Sequence, residues 1–438
     1  MKVLQVLNHF LPEKTAGTEI YAWSLSFNLN KKGINTKVLV PNYNKIINEE
    51  YNYNELSVIK FAEPSEVDRS LIMGFRKPDG LEYFKNILIQ EKPDIVHFHE
   101  LAGSNGITLS HVEAARSYGS KVLFTFHLAG YSCKNGTLIH DGEQLCDGKI
   151  NYSKCAQCYM KERGYNRFSK HLVFSSEVLH KLSIDPSKWN SKYGTAFGII
   201  SIFEKLQNDL IKLIDNCDRI VVISKWFKQI LILNGIESNK IIYIPQGLPS
   251  NQTLPSKNVF SKGKVKLLFI GRISKFKGLH ILIDAVMKIN KDLVELSVFG
   301  NTDEIDYERN LKNVTKNHDN IFWNGLLNNE DVLDKLGQHD ILCLCSTFSE
   351  MSPLVIQEAF AMGLPVIASN VYGNAEQVIH GKNGLLFRFN DALDLKYQIE
   401  RCINESDLLD QMSKNILPPR SFEVVADEYI ELYNSLLN

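Results

Sequence analysis

The chain has 438 residues, too many for one ordinary core, so two or three domains are expected. It is 44% hydrophobic and 23% charged, with a formal net charge of −1, which gives no general attraction to nucleic acid or anionic lipid. No apolar run approaches the length of a membrane span, and the opening MKVLQVLNHFLPEK reads as a buried strand rather than a signal peptide. A cytoplasmic location with reduced cysteines is therefore expected, with contact at the inner face of a membrane peripheral at most.

The first half alternates short apolar runs with amphipathic stretches. KVLQVLNHF is a strand and GTEIYAWSLSFNLNKKG a helix closed by Gly33; NTKVLV, SVIKFA, DIVHFHE, KVLFTFH and DRIVVIS are further strands. Continuous Val/Ile/Leu runs alternating with helices indicate a parallel sheet covered on both faces. The Pro/Ser/Asn-rich PSNQTLPSKN, residues 249–258, reads as a linker. The alternation then restarts with VKLLFIGR, GLHILIDAVMKIN, VELSVFG, IFWNG, NEDVLDKLGQ, DILCLC and PVIASN. The fold class expected is α/β, two doubly wound Rossmann-like domains facing a cleft, with ligands at the carboxyl ends of the strands. The domains are drawn at 1–245 and 246–418. A Cys-rich insert lies at about 128–165, and the amphipathic helix of 419–438 is free to pack on either domain.

In FIGRISKFKGLHILIDA the strand ends at Gly271 and a helix begins near Gly278, with Arg272, Lys275 and Lys277 between. A helix start presents free N–H groups and the positive end of its dipole. Arg adds a planar donor fork and Lys a mobile charge, which suits a diphosphate; a solvated loop is the plainer reading. The loop is neither a Walker A nor a G-x-G-x-x-G fingerprint.

DILCLC is followed by FSEMSPLVIQEAFAMG, in which Glu350 and Glu358 lie in apolar surroundings. Ser352 is expected to cap a helix with Pro353 at its first position, ended by Gly363 and Pro365. Glu350 then sits in the loop above the strand and Glu358 roughly 7–8 Å along the helix axis. A buried carboxylate is costly unless hydrogen-bonded. Glu358 either pairs with a basic residue elsewhere or, with Glu350, accepts hydrogen bonds from ligand hydroxyls on either side of a phosphate facing the helix start. The second reading is preferred.

These residues carry a family resemblance. The chain resembles the retaining glycosyltransferases of family 4, which have the GT-B fold, over nearly its whole length and most densely from 265 to 390. GRISKFKG resembles the donor loop, EMSPLVIQE the E-x7-E signature, YGNAEQVIHGKNGLLF the closing stretch and IPQGL the hinge. In the first half AGTE, DIVHFHE and TFHL are similar to a glycine loop, a strand and the strand carrying the family's histidine. The resemblance implies retaining transfer of a sugar from a nucleotide diphosphate sugar, UDP- or GDP-linked, to a saccharide or lipid-linked hydroxyl, without a catalytic metal. Bacterial cell-surface polysaccharide or glycolipid synthesis is the implied setting.

By matching position, Arg272 and Lys277 hold the diphosphate and neutralise the leaving group. Glu350 holds donor-sugar hydroxyls, Glu358 the ribose, and Leu354 gives a backbone N–H to phosphate. His127 lies near sugar and acceptor, and Gly17 permits close approach of the loop. Ala16 replaces the loop's first glycine and Gln246 the hinge asparagine. Met351 and Ser352 stand where Gly-Phe is common, beside the sugar pocket. Glu350 and Glu358 are not read as the nucleophile and acid of a glycosidase.

His97 and His99 share a strand face, with Glu100 adjacent. Substrate or core hydrogen bonding is preferred over metal ligation there. Cys133, Cys146, Cys155 and Cys158 fall in one loop-rich stretch. In a reducing compartment four such thiols read as a structural zinc site, with His140 as a substitute ligand and with free cysteines or disulfides as alternatives. The rival functions are a GT-B nucleotide-sugar epimerase, or a non-catalytic nucleotide-sugar or zinc-finger binding protein. A nucleic-acid partner is not expected, for want of a basic-aromatic stripe.

Overall fold

Runs of Val, Ile and Leu build two separate sheets in the computed structural model, which describes residues 1–249 and 263–438. The linker read at 249–258 lies, beyond its first residue, outside the described residues. The chain divides into one compact unit of Met1–Gly142, Cys146–Gln246 and Phe422–Asn438, and a second of Glu143–Leu145 and Gly247–Ser421.

The first unit contains β1 (Lys2–Val6), α1 (Gly17–Lys31), β2 (Asn35–Tyr43), β3 (Glu49–Tyr53), β4 (Leu56–Glu63), α2 (Gly80–Glu91), β5 (Ile95–Phe98), α3 (Leu109–Tyr118) and β6 (Lys121–Phe126). There follow α4 (Tyr152–Glu162), α5 (Ser169–Lys181), α6 (Ile199–Asp215), β7 (Arg219–Val222), α7 (Lys225–Leu233) and β8 (Ile241–Tyr243). The sheet order is β8-β7-β6-β5-β1-β2-β4-β3. Every pairing is parallel except β3 with β4. Beyond Lys2, strands β1 and β5 are buried on both faces, their mainly apolar runs carrying Gln5 and His97 as buried polar members. The polar EEYNY of β3 is tolerated because it is an edge.

The second unit contains β9 (Val265–Ile270), α8 (Leu279–Val286), β10 (Val294–Phe299), β11 (Ile321–Trp323), β12 (Ile341–Leu344), α9 (Leu354–Ala361), β13 (Val366–Ser369), α10 (Tyr372–Gln377) and β14 (Gly384–Phe387). Its sheet is wholly parallel, ordered β11-β10-β9-β12-β13-β14. The direction of winding reverses between β9 and β12, and in doubly wound sheets ligands bind beyond the carboxyl ends at such a point. One apolar cluster covers each face.

After Ser421 the chain returns to the first unit as α11 (Phe422–Leu437), which packs along α1. Phe422, Tyr429 and Tyr433 are fully buried there, and Lys32 bonds Asp427 at 2.9 Å. No helix among the described residues is long and apolar enough to cross a membrane.

Candidate functional site

In the second unit the reversal point is occupied by two loops. The first, after β9, turns through Lys275–Lys277 and reaches α8 through Gly278 at φ +67°. A side chain at Gly278 would place its Cβ 1.8 Å from the Cys345 carbonyl oxygen, so only glycine lets this loop lie against the end of β12. The Thr347 N–H then reaches the Phe276 carbonyl at 2.8 Å, joining the two loops through their backbones.

That contact brings Lys277 to Glu350, at 2.6 Å. Ser346 donates to the same Glu350 oxygen at 2.7 Å, and the Lys277 ammonium lies 5.2 Å from the Phe348 ring centre. Glu350 is 7% exposed, and this ion pair and hydrogen bond compensate its burial. Arg272 is exposed, without a carboxylate partner among the described residues. On the far side, Gly373 admits α10 against the Glu350 backbone, since a Cβ there would lie 2.0 Å from the Glu350 carbonyl oxygen.

The helix start differs from expectation by one residue. Pro353 is the cap itself, with an extended ψ of 122°, and Leu354 is the first helical residue. Ser352 therefore precedes the cap, and the proline carbonyl accepts from the Ile356 N–H at 3.3 Å. Glu358 is partly buried in α9, and no described side chain bonds its carboxylate. Burial alone pushes its carboxyl up to about 7. The basic partner of the plainer reading is thus missing among the described residues. Gln357 bonds Gln377 and takes no part in neutralising its neighbour.

In the first unit, His127 ends β6 and is one terminus of a buried hydrogen-bond chain. His127 Nε2 meets His99 Nδ1 at 3.0 Å, and His99 Nε2 meets Gln5 Oε1 at 2.7 Å. Gln5 donates to the Tyr433 hydroxyl at 3.2 Å, and that hydroxyl meets His97 Nδ1 at 2.8 Å. His97 Nε2 continues to Thr125 at 2.7 Å, Thr125 to Tyr429 at 2.9 Å and Tyr429 to Tyr21 at 2.9 Å. Burial lowers the pKa of all three histidines, to about 3 for His127, so each is neutral.

Neutrality fixes the protons. An amide oxygen only accepts, so His99 carries its proton on Nε2 and accepts on Nδ1. His127 must then be protonated on Nε2, leaving the Nδ1 lone pair with no bond to any described residue. His97 and His99 serve as core hydrogen-bonding groups.

Residues 250–417 match the family model described as glycosyl transferases group 1. An uncharacterized glycosyltransferase of Methanocaldococcus jannaschii is 28% identical over 236 residues, which cover 50% of this chain and 59% of that protein. The chain spans about three fifths of the length of the curated relatives it matches. Among solved structures, sucrose-phosphate synthase from Thermosynechococcus elongatus superposes with a TM-score of 0.67 at 17% identity, over 99% of this chain and 98% of that one. Anabaena HepE, in complex with UDP and glucose, gives 0.64 at 15% identity, over 99% of this chain and all of that one. The fold is GT-B. The family match supports a glycosyltransferase.

Within this GT-B chain, the start of α1 holds a group that the sequence reading passed over. Glu19, quoted only as part of AGTE, is 1% exposed and ion-pairs with Lys14 at 3.2 Å. Its signal was a carboxylate in the first turn of a helix whose following residues are buried. Glu100 accepts from the Asn8 N–H at 3.0 Å, and burial raises its pKa. A Cβ built at Gly17 meets nothing within 4 Å, so open space rather than packing surrounds that position. The four cysteines Cys133, Cys146, Cys155 and Cys158 line one cavity together with His140. As the side chains stand, no group of three His, Cys, Asp or Glu among the described residues converges as a metal site.

Proposed function

We propose that the chain is a retaining glycosyltransferase that moves a sugar from a nucleotide diphosphate sugar to a hydroxyl acceptor, in cell-surface polysaccharide or glycolipid synthesis. The supporting observation is Lys277 and Glu350, bonded at 2.6 Å at the winding reversal of the unit matched by the glycosyltransferase family model. Arg272 and the remaining Lys277 protons take the diphosphate, and the Leu354 N–H at the start of α9 adds a neutral donor. Glu350 accepts from donor-sugar hydroxyls and Glu358 from ribose hydroxyls. Solved relatives bound to UDP and to UDP-glucose favour a uridine nucleotide.

In the step itself, the acceptor oxygen forms a bond to the anomeric carbon on the face from which the phosphate leaves. The carbon–oxygen bond to the diphosphate breaks with its electron pair on the phosphate. The acceptor proton passes to that phosphate oxygen, so no enzyme base is consumed. Arg272 and Lys277 stabilise the charge as it develops, which is where electrostatic catalysis is largest. The His127 Nδ1 lone pair accepts from a sugar hydroxyl.

For the acceptor side, α5 packs on α4 and α6, not on the sheet. It leaves Phe174 and Leu182 about two-thirds exposed, in one row with Val178. Lys170 and Lys181 lie on the same helix, as in a helix that rests on an anionic membrane surface.

The test is transfer from a panel of UDP- and GDP-sugars, with the product's anomeric configuration read by NMR. Glu350→Gln and Lys277→Ala are expected to abolish transfer while circular dichroism stays native. Full activity in both variants overturns the assignment. Interconversion of the free sugar nucleotide without an acceptor establishes an epimerase instead.

A further inference from the structure

The cysteine segment has no part in the chemistry above, yet its structure is that of a site. Between Cys133 and Cys158 the backbone turns through left-handed residues at Gly136, Leu138, Asp141, Gly142 and Gly148. It then enters α4, whose start is held by the Asn151 side chain accepting the Lys154 N–H at 2.9 Å. Cys155 and Cys158 stand at i and i+3 on that helix, so they share a face. Ala156, Tyr159 and Met160 seat the helix against α5 and α6, which fixes these two thiols relative to the unit's core.

The four thiols line a single cavity of about 30 Å³, room for one water or one ion. Main-chain donors are directed at sulfur. The Asp141 N–H reaches Cys158 Sγ at 3.2 Å and the Asn151 N–H reaches Cys155 Sγ at 3.4 Å. Such bonds favour a sulfur carrying negative charge. Lys134, Lys149 and Lys154 line the same cavity, a cationic surround that suits an anionic cluster. None of the cysteines is in a disulfide.

As the side chains stand, the sulfurs do not converge on one point. Cys146 donates toward Asp147 at 3.7 Å, Cys155 toward the Lys149 carbonyl at 4.0 Å and Cys158 toward the Ile139 carbonyl at 3.7 Å. Binding one ion requires these three side chains to turn from those acceptors into the cavity that all four cysteines line.

We propose that Cys133, Cys146, Cys155 and Cys158 bind one structural Zn²⁺ as thiolates. Four S–H protons are lost to solvent and four S–Zn bonds form without redox change. The resulting tetrathiolate carries two negative charges beside Lys134 and Lys149, while Lys154 is ion-paired with Asp147 at 3.3 Å. A closed four-ligand shell leaves no position for substrate, so the ion holds the segment's shape.

The test is metal analysis of the full chain purified under reducing conditions without chelator. One zinc per chain is expected, falling below one fifth in Cys155→Ser and unchanged in Cys217→Ser, a buried cysteine outside the segment. Should Cys155→Ser not fold, exchange of the wild-type metal for Co²⁺ reads the ligands directly. Visible bands of tetrahedral Co²⁺ with strong thiolate charge transfer support the site. Metal-free chain with four freely reactive thiols, an octahedral spectrum, or a three-sulfur, one-nitrogen spectrum recruiting His140 each overturns it. These readouts are independent of sugar transfer.

Discussion

Tyr433→Phe tests whether the C-terminal helix sets the state of His127. The hydroxyl lost is fully buried; it accepts from Gln5 at 3.2 Å and serves His97 Nδ1 at 2.8 Å. Because its lone pair takes the Gln5 N–H, its proton goes to His97. The phenylalanine therefore leaves a buried amide N–H and a buried imidazole lone pair without partners. Each unmet group costs about 1–3 kcal/mol, and relief of desolvating the hydroxyl offsets part, so a net loss of about 2–4 kcal/mol is expected. For a unit of this size that lowers Tm by roughly 5–12 °C. Tyr429→Phe should cost only about 1 kcal/mol, because the hydroxyls of Thr125 and Tyr21 can re-aim. The second readout is long-range ¹H–¹⁵N NMR of the imidazoles. Wild type should show His127 protonated on Nε2, whereas in Tyr433→Phe the Gln5 amide loses its pin and both tautomers appear. A reversed Gln5 amide would reverse every donor in the chain. Finding His127 protonated on Nδ1 in the wild type, or a Tm for Tyr433→Phe within 1 °C of it, would therefore refute the reasoning.

Three further outcomes follow from the second unit. With its carboxyl raised to about 7, Glu358 favours the folded state below about pH 4.5, and that contribution is lost as pH rises through 7. Glu358→Gln should flatten this dependence by about 2–3 kcal/mol in urea unfolding between pH 5 and 8. In the proposed assignment the ionised Glu358 takes the ribose hydroxyls, so UDP affinity should fall in wild type as pH drops below 7 and stay level in Glu358→Gln, by isothermal titration. Arg272→Ala should change stability by less than about 0.5 kcal/mol, as an exposed residue with no carboxylate partner among the described residues, yet in the proposed donor site weaken UDP roughly 10-fold or more. Lys277→Ala should do both, costing about 1–3 kcal/mol because Glu350 is left with Ser346 alone. Gly278→Ala combines a positive φ with a backbone clash and should cost at least about 3 kcal/mol, whereas Gly235→Ala, at φ +90° with open space around it, should cost about 1. Equal losses at the two glycines would refute the contact between the Gly278 loop and β12.

What could be read along the chain was whatever local chemistry dictates. The buried strands β1, β5, β9 and β12 announce themselves as mainly apolar runs, broken only by Gln5, His97 and Lys266 after the first residue. Both strand-tip loops were visible as polar residues following such runs. Strand β3 was not visible, because EEYNY carries no apolar alternation and owes its place to the antiparallel edge of β4. The cap at Pro353 was misplaced by one residue, since Ser is ordinarily the better cap and only the observed ψ shows the proline carbonyl in that role. The chain from Gln5 to Tyr433 lay beyond reach for a different reason. It joins residues 428 positions apart, and α11 shows only an amphipathic pattern that does not say which face of which unit it will cover. The pairing of Lys277 with Glu350, 73 positions apart, depends on Gly278 admitting one loop to the other, and a glycine in a sequence does not name its neighbour.

The charges at the reversal point also narrow what can bind there. Lys277 is met by Glu350, whereas Arg272 has no carboxylate partner among the described residues and burial alone raises the Glu358 carboxyl. A bare phosphate would engage Arg272 but offer no hydroxyl donor to Glu358, and placed close to it would raise that carboxyl further. A neutral sugar would supply donors to Glu358 and Glu350 and leave Arg272 without an anion. A nucleoside diphosphate sugar carries hydroxyl donors at both ends and charge in the middle, so each unmatched group gains its complement at once. In the proposed assignment, ribose hydroxyls favour the ionised form of Glu358 and draw its carboxyl down from about 7, and burial, which costs the free protein, discriminates against ligands that lack those hydroxyls.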